Sequence, residues 1–110
     1  MEDCIFCKIV RRELPADVVF ENEETIAFKD INPMAPTHVL VVPKKHLASL
    51  DDLTGDDVGL AGNLLLAVKE VAALSGVAGG YKMLSNCGEA AGQVVPHLHF
   101  HILAGKKFVP

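Results

Sequence analysis

No apolar run in the chain approaches the ~20 consecutive residues that a membrane-spanning helix needs. Basic charge is also scarce. Ten Lys and Arg stand against fourteen Asp and Glu, a formal net charge of −4, and the pI is about 5.6. The positive footprint of a nucleic-acid-binding surface is therefore absent. Cysteines are few and odd in number, three in all, which excludes a disulfide framework and fits a reducing compartment. The opening Met1-Glu2-Asp3-Cys4 is acidic where a secretory signal would be basic. Repeats, low-complexity tracts and linkers are missing as well. Tryptophan is absent and aromatics are sparse, yet 50% of the 110 residues are hydrophobic, which excludes intrinsic disorder. The expectation is one soluble cytoplasmic domain over residues 1–110, with neither a nucleic-acid nor a membrane partner. A chain of this size buries roughly two-thirds of its unfolded surface, so it needs no staples.

Ile5, Phe6, Ile9 and Val10 recur at helical spacing and predict a short helix over 4–12, stopped near Pro15. Residues 17–21 and 25–29 read as a hairpin around Asn22-Glu23-Glu24. Asp30-Ile31-Asn32-Pro33 and Ala35-Pro36 form a turn-rich crossing, because proline and the residue before it avoid helix. His38–Val42, β-branched and bounded by Pro36 and Pro43, reads as a central strand. Thr54 is an N-cap candidate with Asp56 and Asp57 in the first turn. The helix it opens carries a stripe of Val58, Ala61, Leu65, Val68 and Ala72, widened by Leu64, Val71 and Leu74, and ends at Gly76 and Gly79-Gly80. Residues 81–86 and 94–103 read as two closing strands. This order predicts an α+β fold, an antiparallel sheet packed against one long helix.

Three of the five histidines fall within five residues, at His97, His99 and His101. On an extended strand they share one face, with Leu98, Phe100 and Ile102 on the other. Two chemistries use such a set: a Zn²⁺ with an open water position, or a nucleophilic imidazole assisted by its neighbours. The flanking residues favour the second. Gly92-Gln93 offers small side chains and backbone N–H groups suited to a phosphate, and Asp30 follows a strand where its carboxylate can accept from ribose hydroxyls. The Cys4/Cys7 pair suits a metal or a redox couple. The redox reading is weakened because no strand precedes Cys4.

The run His97-Leu98-His99-Phe100-His101-Ile102-Leu103 resembles the histidine-triad (HIT) pattern. Ile5-Phe6-Cys7-Lys8-Ile9, Ala27-Phe28-Lys29-Asp30-Ile31 and Pro36 through His46 extend the resemblance over nearly the whole chain, toward the Hint branch of nucleotide-binding phosphoramidases. It implies a five-stranded antiparallel sheet with a short N-terminal helix, in a homodimer with a continuous sheet. It implies hydrolysis of purine nucleoside phosphoramidates or aminoacyl-adenylates through a nucleotidyl-histidine on His99. His101 would contact the phosphate and departing group, and His38 would support proton transfer beside the triad that His97 begins. AMP or GMP would be held by Ile5, Phe6, Ile9, Phe28 and Leu40 at the base, Asp30 at the ribose, and Asn86, Gly92, Gln93 and Val94 with His99 and His101 at the phosphate. Val94 stands where Hint relatives have serine, and Cys87 replaces an acidic neighbour of Asn86. Some relatives bind structural zinc through residues matching Cys4, Cys7, His46 and His97. A dinucleoside polyphosphate hydrolase and a non-enzymatic nucleotide-binding regulatory module are the alternatives. A uridylyltransferase-like role is disfavoured because His101 is kept.

Overall fold

The computed structural model describes residues 3–110; the acidic Met1-Glu2 start lies outside them. A short helix α1 (Ile5–Val10) precedes strands β1 (Val18–Glu21), β2 (Thr25–Lys29) and β3 (Thr37–Pro43), then the long helix α2 (Val58–Leu74) and strands β4 (Lys82–Leu84) and β5 (Phe100–Ala104). The strands form one antiparallel five-stranded sheet in the order β1-β2-β3-β5-β4. Among the described residues no helix is long and apolar enough to cross a membrane.

Side-chain alternation splits the sheet into two covered faces. Ala27, Val39, Val41, Phe100 and Ile102 pack with Leu60, Leu64, Ala67, Val68 and Val71 of α2. The residues between them, Ile26, Phe28, Leu40 and Val42, pack with Cys4, Phe6, Cys7 and Ile9 of the α1 segment. Both clusters are aliphatic-rich, and each fully buried Leu or Ile contributes roughly 1.5–3 kcal/mol. Register then sets the site: β3 and β5 pair His38 with Leu103 and Leu40 with His101, so both histidines emerge on the α1 face.

Three sequence expectations shift. Thr54 does cap, its hydroxyl accepting from the Asp56 N–H, but the chain first makes a 3-10 turn over Gly55–Asp57, and α2 begins only at Val58. The expected α2 stripe holds in part: Leu64, Val68, Val71 and Ala72 are buried as expected, but Val58, Leu65 and Leu74 are exposed, and Leu60 and Ala67 are buried instead. Lys69 and Glu70 are the only charged residues in α2, so its periodicity is shallow and does not distinguish one apolar stripe from the next. The closing strands are also shorter than 81–86 and 94–103: β4 keeps only Lys82–Leu84, and β5 starts at Phe100 because the chain bends over 95–97 and residues 98 and 99 stay outside the ladder.

Gly105 ends β5 at φ +95°, and a Cβ there would lie 2.7 Å from the Pro36 side chain. Gly105→Ala should therefore lower unfolding free energy by about 1–3 kcal/mol through strain and clash. Gly59→Ala, in α2 with nothing within 4 Å of the added carbon, should raise it by up to ~1 kcal/mol. Urea unfolding of both variants measures the contrast.

Candidate functional site

All five histidines gather on the α1 face of the sheet, in two groups divided by Phe6. The Phe6 ring meets His97 edge-on at 5.9 Å, His99 at 5.1 Å and Phe28 at 5.3 Å between centroids. Alternation holds through the irregular segment, since Leu98, Phe100 and Ile102 all point into the α2 cluster. The Leu98 N–H donates to the Leu47 carbonyl at 2.6 Å, and the Ser85 hydroxyl donates to the His99 carbonyl at 2.7 Å. These two bonds hold the segment where ladder bonds do not.

The first group is Cys4, Cys7, His46 and His97, whose ligand atoms all lie within 4.8 Å of one another. Nε2–H of His97 donates to the Pro43 carbonyl at 2.8 Å. In the neutral ring the lone pair is then on Nδ1, which stands 3.3 Å from Cys4 Sγ, 3.5 Å from Cys7 Sγ and 3.2 Å from His46 Nδ1. Cys7 Sγ and His46 Nδ1 are 3.2 Å apart. Tetrahedral ligands at zinc's usual bond lengths stand roughly 3.3 Å apart for two nitrogens and about 3.6 Å for nitrogen and sulfur, so the donor set fits. Burial, and then the hydrogen bond and charge of Cys4, push the Cys7 thiol up to about 11. A divalent cation supplies the charge that lets such thiols ionise. The Cys7 N–H also donates to Cys4 Sγ at 3.3 Å, and the Pro43 carbonyl orients His97 as outer partners of metal-bound histidines do. This Cys/His cluster can bind a metal ion.

The second group is Asp30, His38, His99 and His101. Nδ1–H of His99 donates to the His97 carbonyl at 2.7 Å, leaving Nε2 with its lone pair. The Met34 N–H donates to His38 Nδ1 at 3.1 Å. The proton of neutral His38 is therefore on Nε2, which donates to His101 Nδ1 at 2.9 Å. His101 in turn carries its proton on Nε2. One fixed sequence of tautomers thus presents a nucleophilic nitrogen on His99 and an N–H on His101, the ring centroids 4.9 Å apart. Asp30, His38 and His101 also lie close enough to hold a metal. The Met34 N–H argues against it, because it keeps a proton on the His38 nitrogen that a metal would need.

Burial, opposed by Asp30 and reinforced by His99, holds His38 below the usual histidine range. His101 is pushed down to about 4 by burial, then by His99 and His38, with Asp30 opposing. His97 is lowered too, first by burial.

The sequence-predicted base-binding residues divide. Phe6, Ile9, Phe28 and Leu40 are buried, while Ile5 is 51% exposed. Asp30 stands beside His38, its Oδ2 at 3.4 Å from Nε2. In the loop before the triad, Gly92 takes φ +91° and Asn86 donates to its carbonyl at 3.4 Å. The Gln93 side chain is occupied by backbone: Oε1 accepts from the Gly88 N–H at 2.8 Å, and Nε2 donates to the Ala48 and Val95 carbonyls at 2.6 and 3.0 Å. Val94 is 90% exposed. Sequence reading missed the backbone groups of Met34, Pro43 and His97, and the Ser85 hydroxyl. Only the Pro43 position carried a signal, since a proline ends the strand three residues before His46. An open cleft of about 540 Å³ has no histidine in its lining. It is lined by charged residues, including the Lys45–Asp57 pair at 2.8 Å.

With this geometry in view, the comparisons decide the family. The HIT domain family model matches residues 11–108. The chain belongs to the HIT domain family. It is 51% identical over 107 residues to an uncharacterised HIT-like protein of Synechocystis, covering 97% of this chain and 94% of that one. A solved HIT family hydrolase from Clostridium thermocellum superposes with a TM-score of 0.96 at 45% identity, covering 100% of this chain and 96% of that one. A histidine triad nucleotide-binding protein from Candida albicans superposes at 0.82 with 37% identity, covering 91% of this chain and 73% of that one.

The depressed histidines imply a pH dependence with a definite sign. Above the unfolded value of 6.5 both states are neutral; between there and about 4 the unfolded chain takes up the His101 proton first. Stability should therefore fall as pH drops through that window, by up to about 3 kcal/mol from His101. Urea midpoints at pH 7 and pH 4.5 should differ less in His101→Gln than in the unmodified chain.

Proposed function

We propose that this HIT-domain protein is a nucleotide-binding hydrolase of the Hint type. It cleaves purine nucleoside phosphoramidates or aminoacyl-adenylates to the nucleoside monophosphate, AMP or GMP. The single observation that carries the reading is the tautomer of His99: its Nδ1–H is committed to the His97 carbonyl at 2.7 Å, which leaves Nε2 free to attack beside the His101 N–H. The hydrolase neighbour from Clostridium thermocellum and the nucleotide-binding one from Candida albicans support it.

In this mechanism His99 Nε2 forms a bond to the α-phosphorus as the phosphorus–leaving-group bond breaks, and the electron pair goes to the amine nitrogen of a phosphoramidate or the carboxylate oxygen of an aminoacyl-adenylate. Positive charge gathering on His99 is stabilised by the carbonyl at Nδ1. The His38–His101 pair, holding one proton beyond its neutral complement while an anionic phosphate lies against it, passes a proton from His101 Nε2 to the amine. It takes one back from the water that then breaks the His99–phosphorus bond. Ile5, Phe6, Ile9, Phe28 and Leu40 form the base side, Asp30 accepts from the ribose, and Asn86, Gly92, Gln93 and Val94 bring the loop to the phosphate. Gln93 serves there by shaping the backbone.

Zinc, held by Cys4, Cys7, His46 and His97, is assigned a structural role, because four protein ligands leave no open position for chemistry. When bound it neutralises the two thiolates and ties α1 to the sheet. A homodimer is supported by the exposed Leu65, Leu66 and Leu74 of α2 and by β4, a three-residue edge strand. The cytoplasm, where free thiols persist, is the assigned compartment.

His99→Ala should abolish turnover of an adenosine phosphoramidate, at least a thousandfold below the unmodified enzyme, with AMP affinity kept within a few-fold. Wild-type turnover in that variant would remove the covalent route, and preferential cleavage of a diadenosine polyphosphate would move the enzyme to the rival class. Protein purified without chelator should contain about one zinc per chain, and Cys4→Ser/Cys7→Ser should lose both the zinc and thermal stability. Metal analysis with a melting curve reads both.

A further inference from the structure

The carboxylate of Asp30 faces two ways, and the proposed ribose contact accounts for only one of them. Its Oδ1 accepts from the Asn32 N–H at 2.8 Å, an Asx turn that fixes the orientation of the group. Its Oδ2 lies 3.4 Å from His38 Nε2. The backbones are joined as well, the Asp30 N–H donating to the His38 carbonyl at 3.0 Å. The His38 side chain is 1% exposed and that of Asp30 19%, so little water intervenes to screen them.

The His38 Nε2–H is already directed to His101 at 2.9 Å. At 3.4 Å the carboxylate is therefore a secondary acceptor while the pair is neutral. The balance changes when the pair takes up a proton. A buried cation without a counter-charge is costly, and the titratable groups bearing on His38 and His101 are His99, which disfavours the proton, and Asp30, which favours it. Among the described residues, no lysine or arginine is one of the groups that shift either ring.

We propose that Asp30 is a positioning residue for the proton relay: its carboxylate, held by the Asn32 turn against His38 Nε2, keeps the extra proton on the His38–His101 pair. The same carboxylate accepts from the ribose, so sugar recognition and proton delivery draw on one group. The sugar link rests on the nucleotide-hydrolase reading; the Asp30–His38 link does not.

Asp30→Asn separates the two roles, since its amide oxygen still accepts the Asn32 N–H. The first readout needs no substrate: NMR titration of the His38 and His101 imidazoles in the full chain, unmodified and Asp30→Asn. The midpoint of the pair should fall by about one pH unit in Asp30→Asn, and Asp30→Glu should recover part of the shift. An unmoved midpoint overturns the proposal, whatever the enzyme's substrate proves to be.

The second readout is turnover of a 2′,3′-dideoxyadenosine phosphoramidate, which offers the carboxylate no hydroxyl. A ribose ligand alone predicts unchanged kcat on this compound in Asp30→Asn. The relay role predicts a roughly tenfold lower kcat at pH 7, that being the effect of a one-unit shift, with the Kd of dideoxyadenosine monophosphate unchanged. Equal kcat in both proteins also overturns the proposal. Should the unmodified protein leave phosphoramidates intact, the hydrolase reading fails, and the titration alone decides the role of Asp30.

Discussion

Each buried imidazole has one ring nitrogen tied to backbone or to a neighbouring ring, and the properties of the site depend on which nitrogen that is. Carbonyls at Pro43 and His97 draw a proton onto His97 Nε2 and His99 Nδ1. The Met34 N–H keeps one off His38 Nδ1. A neutral imidazole has a single N–H, so choosing its position chooses what the opposite nitrogen can do. His97 is thereby left with a lone pair aimed at two thiols and a second imidazole. His99 keeps a lone pair beside a proton donor, and His101 becomes that donor through His38. Residues of one type within five positions acquire three different chemistries from three backbone contacts.

These contacts depend on where the sheet places the backbone around them. The sheet between α1 and α2 places β3 beside β5 in one register, and a slip of β5 by one residue would turn His101 to the α2 side, away from His38. Phe6, edge-on to both His97 and His99, joins the Cys/His cluster to His99 without a polar link. The Gln93 amide ties the loop before the triad to the segment after His46. The candidate metal centre and the His38–His99–His101 group are thus mechanically connected although no ligand is shared between His99, His101 and the cysteine cluster. Metal at the first group would stiffen the second, because His97 would be a ligand and its carbonyl accepts from His99.

Much of this was legible beforehand. The apolar/polar alternation around His97, His99 and His101 assigned their face correctly even though the regular strand starts only at Phe100, because Leu98, Phe100 and Ile102 are all anchored in the α2 cluster. The hairpin, the central strand and both helices were placed by short-range patterning in which proline and glycine boundaries are strong. The α2 stripe was misjudged for the opposite reason: an almost uncharged helix has no polar face to mark its outside, and only the sheet it packs on selects Leu60 and Ala67 over Val58 and Leu65. The Cys4, Cys7, His46 and His97 grouping was reachable only through family resemblance, since no spacing rule links Cys7 with His46 or His97.

By itself the sequence determined the element order, the sharing of one face by the triad, and the donor chemistry available, because those follow from residue type and local periodicity. The tertiary structure alone decided which ring nitrogen each histidine leaves available. That choice rests on backbone groups of Met34, Pro43 and His97, and on a carboxylate at Asp30 that turns toward His38. The identity of a residue says nothing of where a distant carbonyl or N–H will stand, and it is the packing of the sheet that brings those groups within hydrogen-bonding distance.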